Sequence, residues 1–177
     1  KMILESRAFR FSPILVSVRE LLDNMAKERN IELVLVNEYP NLTFQGDEHR
    51  IQQVLYNFTS NALKFTPAGG RVTIKFTKED KFLELAVIDS GIGISSDKLD
   101  SLFDAFIQAD ASTTREYGGS GLGLAICKEL SLLMDGDIVV ESKIGEGSCF
   151  KLLLPLSGEV ESIAENKELE VIPFAAL

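Results

Sequence analysis

The chain has 177 residues, 45% hydrophobic and 25% charged, with a formal net charge of −9 at pH 7 and a sequence pI of about 4.7. That length fits one ordinary domain with a real core, and the composition excludes a disordered chain. The acidic balance argues against nucleic acid as a partner, because phosphate backbones are held by basic faces.

The opening stretch, KMILESRAFRFS, alternates only in part and reads as a short strand or as a lead-in from an upstream helix. Leu15, Val18, Leu21, Leu22 and Met25 then recur at helical spacing, with Ser12 as the expected N-cap and Pro13 in the first turn. IELVLVNE reads as a strand, and a second helix is expected from near Asp47 to about Lys64. RVTIKFTKEDKFLELAVID reads as a hairpin turning at KED, and SDKLDSLF as a short helix. From Asp104 to Gly121 no periodicity emerges; a loop that long inside a compact domain is often a lid or a binding segment. A third long helix is expected from Leu122, with Ala125, Ile126, Leu130 and Leu133 on its core face, before a closing hairpin, GDIVVESKIGEGSCFKLLLPL. From Ser157 the chain turns acidic and mixed, which predicts a linker or tail with disordered last residues. The order of elements predicts an α/β (α+β) two-layer sandwich: a mixed, mostly antiparallel sheet with its helices on one face.

Three stretches can carry chemistry. On the second helix, Ile51, Val54, Leu55, Phe58 and Ala62 cluster on one side, while Asn57, Asn61 and Lys64 form a separate stripe. Asparagine inside a helix costs roughly 0.5 kcal/mol relative to alanine, so two on one stripe with a lysine suggest a task. An amide oxygen can complete a magnesium shell, and a lysine one turn on supplies a point charge for phosphate. A solvated polar face is the competing reading of that stripe. In FLELAVIDSGIGIS, a hydrophobic strand ends in Asp89 and runs into Gly91 and Gly93. An ionised carboxylate only accepts hydrogen bonds, so it would take the exocyclic amine of adenine and repel the carbonyl of guanine. Its plainer reading is an Asp-Ser-Gly turn with no ligand. In YGGSGLGLAICKEL, Gly118, Gly119, Gly121 and Gly123 lead into a helix whose free N–H groups and dipole make a phosphate seat, unless the glycines simply form a flexible loop. Neither the P-loop nor the Rossmann glycine pattern matches. An acidic protein can bind a nucleotide if local cations and a metal offset the repulsion.

Taken in order, NFTSNALKFT, DSGIGIS, FDAFIQAD and GGSGLGLAI resemble the N, G1, F and G2 boxes of sensor histidine kinases, a likeness that runs over residues 10–156. The run FIQADASTTREYGGSGLGLAI is especially similar to hybrid sensor kinases, in which a receiver domain often follows. The resemblance implies a Bergerat-type ATP-binding sandwich that takes ATP with Mg2+ between helices and a mobile lid. By position it implies Asn61 as the magnesium ligand, Lys64 as a phosphate contact, and Asp89 as the reader of the adenine amine. Gly91 and Gly93 would shape that wall, Phe103 and Phe106 would anchor the lid, and Gly119, Ser120, Gly121, Leu122 and Gly123 would offer backbone N–H groups to the phosphates. Arg115 would be a further cation near the γ-phosphate, standing in for an arginine that some members carry where Gln108 stands here. ATP-hydrolysing relatives, the heat-shock chaperones and DNA gyrases, carry glutamate where this chain has Asn57. An amide cannot take a proton from water, so Asn57, Lys64 and Arg115 would act by positioning and charge neutralisation.

The resemblance also implies partners: a dimerisation domain bearing the phosphoacceptor histidine, a response regulator or receiver domain, and a homodimeric full-length protein. His49, the one histidine, lies within GDEHR, outside any acceptor context, and is expected to be an exposed structural residue. Residues 1–9 would then be a lead-in from an upstream domain, 10–156 the catalytic domain and 157–177 a linker or tail, so this chain alone is not expected to autophosphorylate. No apolar run approaches the ~20 residues of a membrane span, and no signal-peptide pattern opens the chain. Cys127 and Cys149 lie far apart, which excludes a structural zinc set and a disulfide framework and points to a reducing, cytoplasmic setting. An ATPase or serine kinase of the same superfamily remains open beside the histidine kinase, as does a degenerate interaction module.

Overall fold

Alternation along four strands decides which way the main sheet faces. The computed structural model describes residues 2–104 and 123–156, together with the backbone of 159–160 and 170–172. Strands β2 (Glu32–Asn37), β4 (Arg71–Lys78), β5 (Phe82–Asp89) and β7 (Gly147–Pro155) bury every second side chain. Their register aligns Leu35, Ile74, Val87 and Phe150 in one row, and Phe76, Leu85 and Leu152 in the next, so a single face of the sheet is apolar. With β6 (Asp137–Lys143) and β9 (Glu170–Ile172) at its edges, the six-stranded order is β6-β7-β5-β4-β2-β9. The β2–β4 pair is parallel and the others are antiparallel. This is the mixed, mostly antiparallel sheet expected from the order of elements.

Three helices cover the apolar face. Helix α1 (Phe11–Glu28) buries Ile14, Leu15, Val18, Leu22 and Ala26, and α2 (Glu48–Phe65) buries Ile51, Val54, Leu55, Phe58, Ala62 and Leu63. A short α3 (Ser96–Leu99) precedes α4 (Gly123–Leu133), which buries Cys127, Leu130 and Ser131. Both α1 and α4 end with a left-handed residue, Asn30 (φ 55°) and Asp135 (φ 56°). The N–H groups of Ile31 and Gly136 reach back to the carbonyls of Ala26 and Ser131, which satisfies the last turn of each helix.

The opposite face stays wet. Lys75 faces Glu38 at 3.5 Å, and Lys151 lies 3.8 Å from Glu84 and 3.6 Å from Glu141. Lysine stems cover apolar surface while their heads remain in water.

Several expectations need correction. Ser12 is not a cap: α1 begins at Phe11, and the Ser12 hydroxyl accepts from Asn37 Nδ2 at 2.8 Å and faces the Pro40 carbonyl, tying the helix to the end of β2. Leu21 and Leu133 are 61% and 43% exposed, because each falls one position off the buried stripe of its helix. Thr43–Gly46 forms a strand, β3, that the sequence pattern did not suggest; it pairs with β1 (Arg7–Arg10). Two pieces of the expected tail are also strands. β8 (Glu159–Val160) pairs with β3, and β9 extends the main sheet beyond β2.

The small β1-β3-β8 sheet is joined to the core by aromatic packing. Phe9 and Phe44 lie edge-on at 5.9 Å, and Phe11 stacks on Phe76 at 4.2 Å. Asp47, 4% exposed, joins the same region to α2: its Oδ1 accepts from Arg50 N as the N-cap, and its Oδ2 accepts from Glu5 N at 2.9 Å. Asp47→Ala removes both acceptors and is expected to cost about 1–2 kcal/mol in urea unfolding. A midpoint within error of the parent would refute the double role.

Candidate active site

Helix α2 carries the polar stripe beside its buried one. Asn57, Asn61 and Lys64 are half-buried, and the side chains of Asn61 and Lys64 have no partner among the described residues. Asn57 is engaged. Its amide lies beside the Cys127 thiol, which is fully buried, and burial outweighs the influence of that amide to push the thiol pKa up to about 12. A Cβ added at Gly123, one turn before Cys127, would stand 3.4 Å from Asn57 Oδ1. That is an ordinary contact, so Asn57 does not by itself demand glycine at 123. The first turn of α4 thus lies over the middle of α2.

Asp89 ends β5 on the inner face and is 7% exposed. Its Oδ1 accepts from Gly91 N at 2.8 Å and from Ser148 N at 3.2 Å, while Oδ2 takes no hydrogen bond among the described residues. Burial raises the carboxyl pKa above its usual value, opposed by the two backbone N–H groups. The loop after Asp89 is tied to α2, because Ile92 N donates to the Phe65 carbonyl in that helix's last turn. Gly91 is required by this close approach: a Cβ there would sit 2.5 Å from the Phe65 carbonyl oxygen. Gly93 has φ 74°, and its Cβ would sit 2.1 Å from the Lys143 carbonyl oxygen. Both glycines therefore answer to the packing of the protein itself, whatever ligand approaches.

The structure sets Asn57, Asn61 and Lys64 on α2, Gly123 against Asn57, and Gly91, bonded to Asp89, against the Phe65 carbonyl at the end of α2, while Gly93 packs against the Lys143 carbonyl. Phe103 is half-buried against the core, with the Lys128 ammonium 6.0 Å from its ring centre. Phe106, Gln108, Arg115, Gly119, Ser120, Gly121 and Leu122 lie outside the described residues, as does most of the long loop. His49 is exposed, as expected.

Sequence reasoning missed Ser148 and Ser142. Register places Val72, Asp89, Ser148 and Ser142 in one row across β4, β5, β7 and β6, where the apolar face ends. Strand parity from Phe150 and Leu152 could have put Ser148 inward, but only the pairing puts it beside Asp89.

Comparison with known proteins identifies the family. The profile of the family described as histidine kinase-, DNA gyrase B-, and HSP90-like ATPase matches residues 46–158, the span that holds every site residue discussed above. The chain belongs to that family. Among curated relatives, the sensor protein GacS of Pseudomonas syringae pv. syringae is 41% identical over 94% of this chain and 19% of its own length. The autoinducer 2 sensor kinase/phosphatase LuxQ of Vibrio parahaemolyticus is 36% identical over 93% of this chain and 20% of its own. The chain therefore spans about a fifth of the length of these relatives. Among solved structures, full-length ShkA in complex with AMPPNP has a TM-score of 0.80 at 33% identity, over 92% of this chain and 33% of that one. The catalytic domain of histidine kinase ThkA has a TM-score of 0.75 at 25% identity, over 85% of this chain and 95% of that one. Within the family, the chain is similar to sensor kinases and to the catalytic domain of a histidine kinase.

The raised pKa of Asp89 has a consequence for stability. The native state holds this proton more tightly than the unfolded chain does, so the group favours folding below the usual carboxylate range. That advantage is lost as pH rises through the folded value. Asp89→Asn keeps the Oδ1 acceptor and removes the buried charge. It is expected to melt higher than the parent at neutral pH, with the gap closing as the pH falls to about 4. Melting curves that coincide at neutral pH would contradict the burial argument.

Proposed function

We propose that the chain binds Mg-ATP across α2, the Asp89–Ile94 loop and the start of α4, and donates the γ-phosphate to a histidine on a separate helical domain. The observation that carries this reading is the buried Asp89 carboxylate. One oxygen is satisfied by backbone, and the other is left as an acceptor for an incoming donor. A ligand that presents an amine to that open acceptor gains specificity over one that would set a second acceptor against it. Adenine presents one; guanine presents a carbonyl.

Asn61 fits a divalent ion in a particular way. Among the described residues no group of three histidine, cysteine, aspartate or glutamate side chains is placed to hold a metal. Magnesium would rest on the Asn61 amide oxygen, phosphate and water, the sparse protein coordination this ion tolerates, and would neutralise phosphate charge. Lys64, one turn nearer the Asp89 loop and without an acidic partner among the described residues, has its charge available for phosphate. Backbone N–H groups at Gly119, Ser120, Gly121, Leu122 and Gly123 would hold the phosphates, with Arg115 as a further cation and Phe106 beside Phe103 as an anchor of the covering segment.

Asn57 decides between transfer and hydrolysis in this reading. Its amide, held against the Cys127 thiol, cannot act as the base that water needs. An imidazole needs no such base, because its neutral nitrogen attacks directly. The chain's residues then work by orientation and charge neutralisation, as suits a loose phosphoryl-transfer transition state. The same reading makes a dimerisation domain and a response regulator or receiver the partners, a homodimer the full-length state, and the reducing cytoplasm the setting. Cys127 and Cys149 as free thiols accord with that setting.

Calorimetric titration with Mg-ATP tests this directly. The parent is expected to bind in the micromolar to millimolar range, and Asp89→Asn to lose more than about tenfold, or roughly 1.4 kcal/mol. Asn61→Ala is expected to lose affinity in magnesium but little in its absence. Equal affinities of parent and Asp89→Asn would overturn the adenine assignment, and phosphohistidine on this chain alone would overturn the separate acceptor.

A further inference from the structure

Ser142 lies on β6, one strand beyond Ser148 and two beyond Asp89, and its hydroxyl meets three polar groups. Its Oγ accepts from the backbone N–H of Ile94 at 2.8 Å, lies 3.0 Å from the Gly147 carbonyl oxygen, and lies 2.7 Å from Ser148 Oγ. A hydroxyl has one proton and two lone pairs. The Gly147 carbonyl can only accept, so the Ser142 proton goes there. One Ser142 lone pair takes the Ile94 N–H. The remaining lone pair faces Ser148, whose hydroxyl proton must then point to Ser142. All three contacts are satisfied by this one arrangement, and it fixes the direction of the Ser148 hydroxyl.

The consequence falls on the neighbouring strand. Ser148 is register partner to Asp89 on one side and to Ser142 on the other, and is 8% exposed. With its proton committed to Ser142, the Ser148 hydroxyl retains only lone pairs, beside a carboxylate that also only accepts. We propose that Ser142 is a positioning residue that sets the hydrogen-bond polarity of this wall, keeping it acceptor-only and so selective for a 6-aminopurine over a 6-oxopurine nucleotide. The inference deepens the ATP reading above and rests on it for the ligand. Through the Ile94 N–H, the same hydroxyl also holds the far end of the glycine loop that follows Asp89. Removing it releases the Ser148 proton, which can then donate to a purine carbonyl, and frees the loop at Ile94.

The test compares the parent chain with Ser142→Ala and Ser142→Thr, after thermal melts confirm that each folds. Affinities for Mg-ATP and Mg-GTP are measured by calorimetry, and exchange of the Ile94 amide proton is followed by NMR without nucleotide. Ser142→Ala is expected to narrow the ATP-to-GTP preference by roughly three- to tenfold, the worth of one hydrogen bond, and to lose protection at Ile94. Ser142→Thr, which keeps the hydroxyl, is expected to restore both. A Ser142→Ala chain with the parent's ATP-to-GTP ratio overturns the polarity role, even if Ile94 loses protection. Unchanged exchange at Ile94 overturns the contact itself. A parent that binds neither nucleotide overturns the reading of Asp89 instead, and the Ile94 exchange then decides for or against Ser142 as holder of the loop.

Discussion

A carboxylate held out of water at the end of an apolar sheet face is the constraint around which this domain is arranged. Burying Asp89 disfavours its charged form, and two backbone N–H groups aimed at one oxygen offset part of that cost. Those donors exist only because two other elements stand where they do. Gly91 N reaches Asp89 because the loop folds back beneath the last turn of α2, where a side chain would collide with the Phe65 carbonyl. Ser148 N reaches it because β7 pairs with β5 in a register that sets the two residues opposite one another. The partial compensation of this buried charge thus depends on the loop and the hairpin together.

Helix α2 links this corner to the rest of the molecule. At its N-terminus, Asp47 holds both the first turn and the incoming backbone at Glu5; at its C-terminus, the Phe65 carbonyl receives Ile92. Between these anchors the helix turns an apolar stripe to the sheet and a polar stripe, Asn57, Asn61 and Lys64, away from it. Movement of the entering strand and movement of the loop therefore act on the same rigid rod. The contact of Asn57 with Cys127 adds α4 to that rod, so the elements bearing the candidate residues are mechanically connected, with no need for a long chain of intermediates.

Much of this was legible from local pattern. Period-two alternation in ELVLVN, RVTIKFTK and FLELAVID marked three strands and their inward faces. The 3.6-residue period from Ile51 to Ala62 marked the buried side of α2 and left its asparagines conspicuous. Asp47 announced the helix start by its residue type. Elsewhere local pattern failed for physical reasons. Ser12 had the chemistry of a cap, but a hydroxyl serves whichever partner the tertiary fold supplies, and Asn37 was nearer. β3, β8 and β9 are too short for periodicity to register, and they exist because a sheet edge offers unpaired backbone groups.

The sequence by itself determined which residues could carry charge, amide or bare backbone, and which faces of the helices and strands would be apolar, because those are properties of neighbours along the chain. Only the tertiary structure decided that Ser142, Ser148 and Asp89 share one row, that Gly91 lies under α2, and that Asn57 meets Cys127. Each of these depends on strand register or helix crossing between residues far apart in sequence. A one-residue slip in the pairing of β5 with β7 would leave every local pattern intact and turn Ser148 away from the carboxylate.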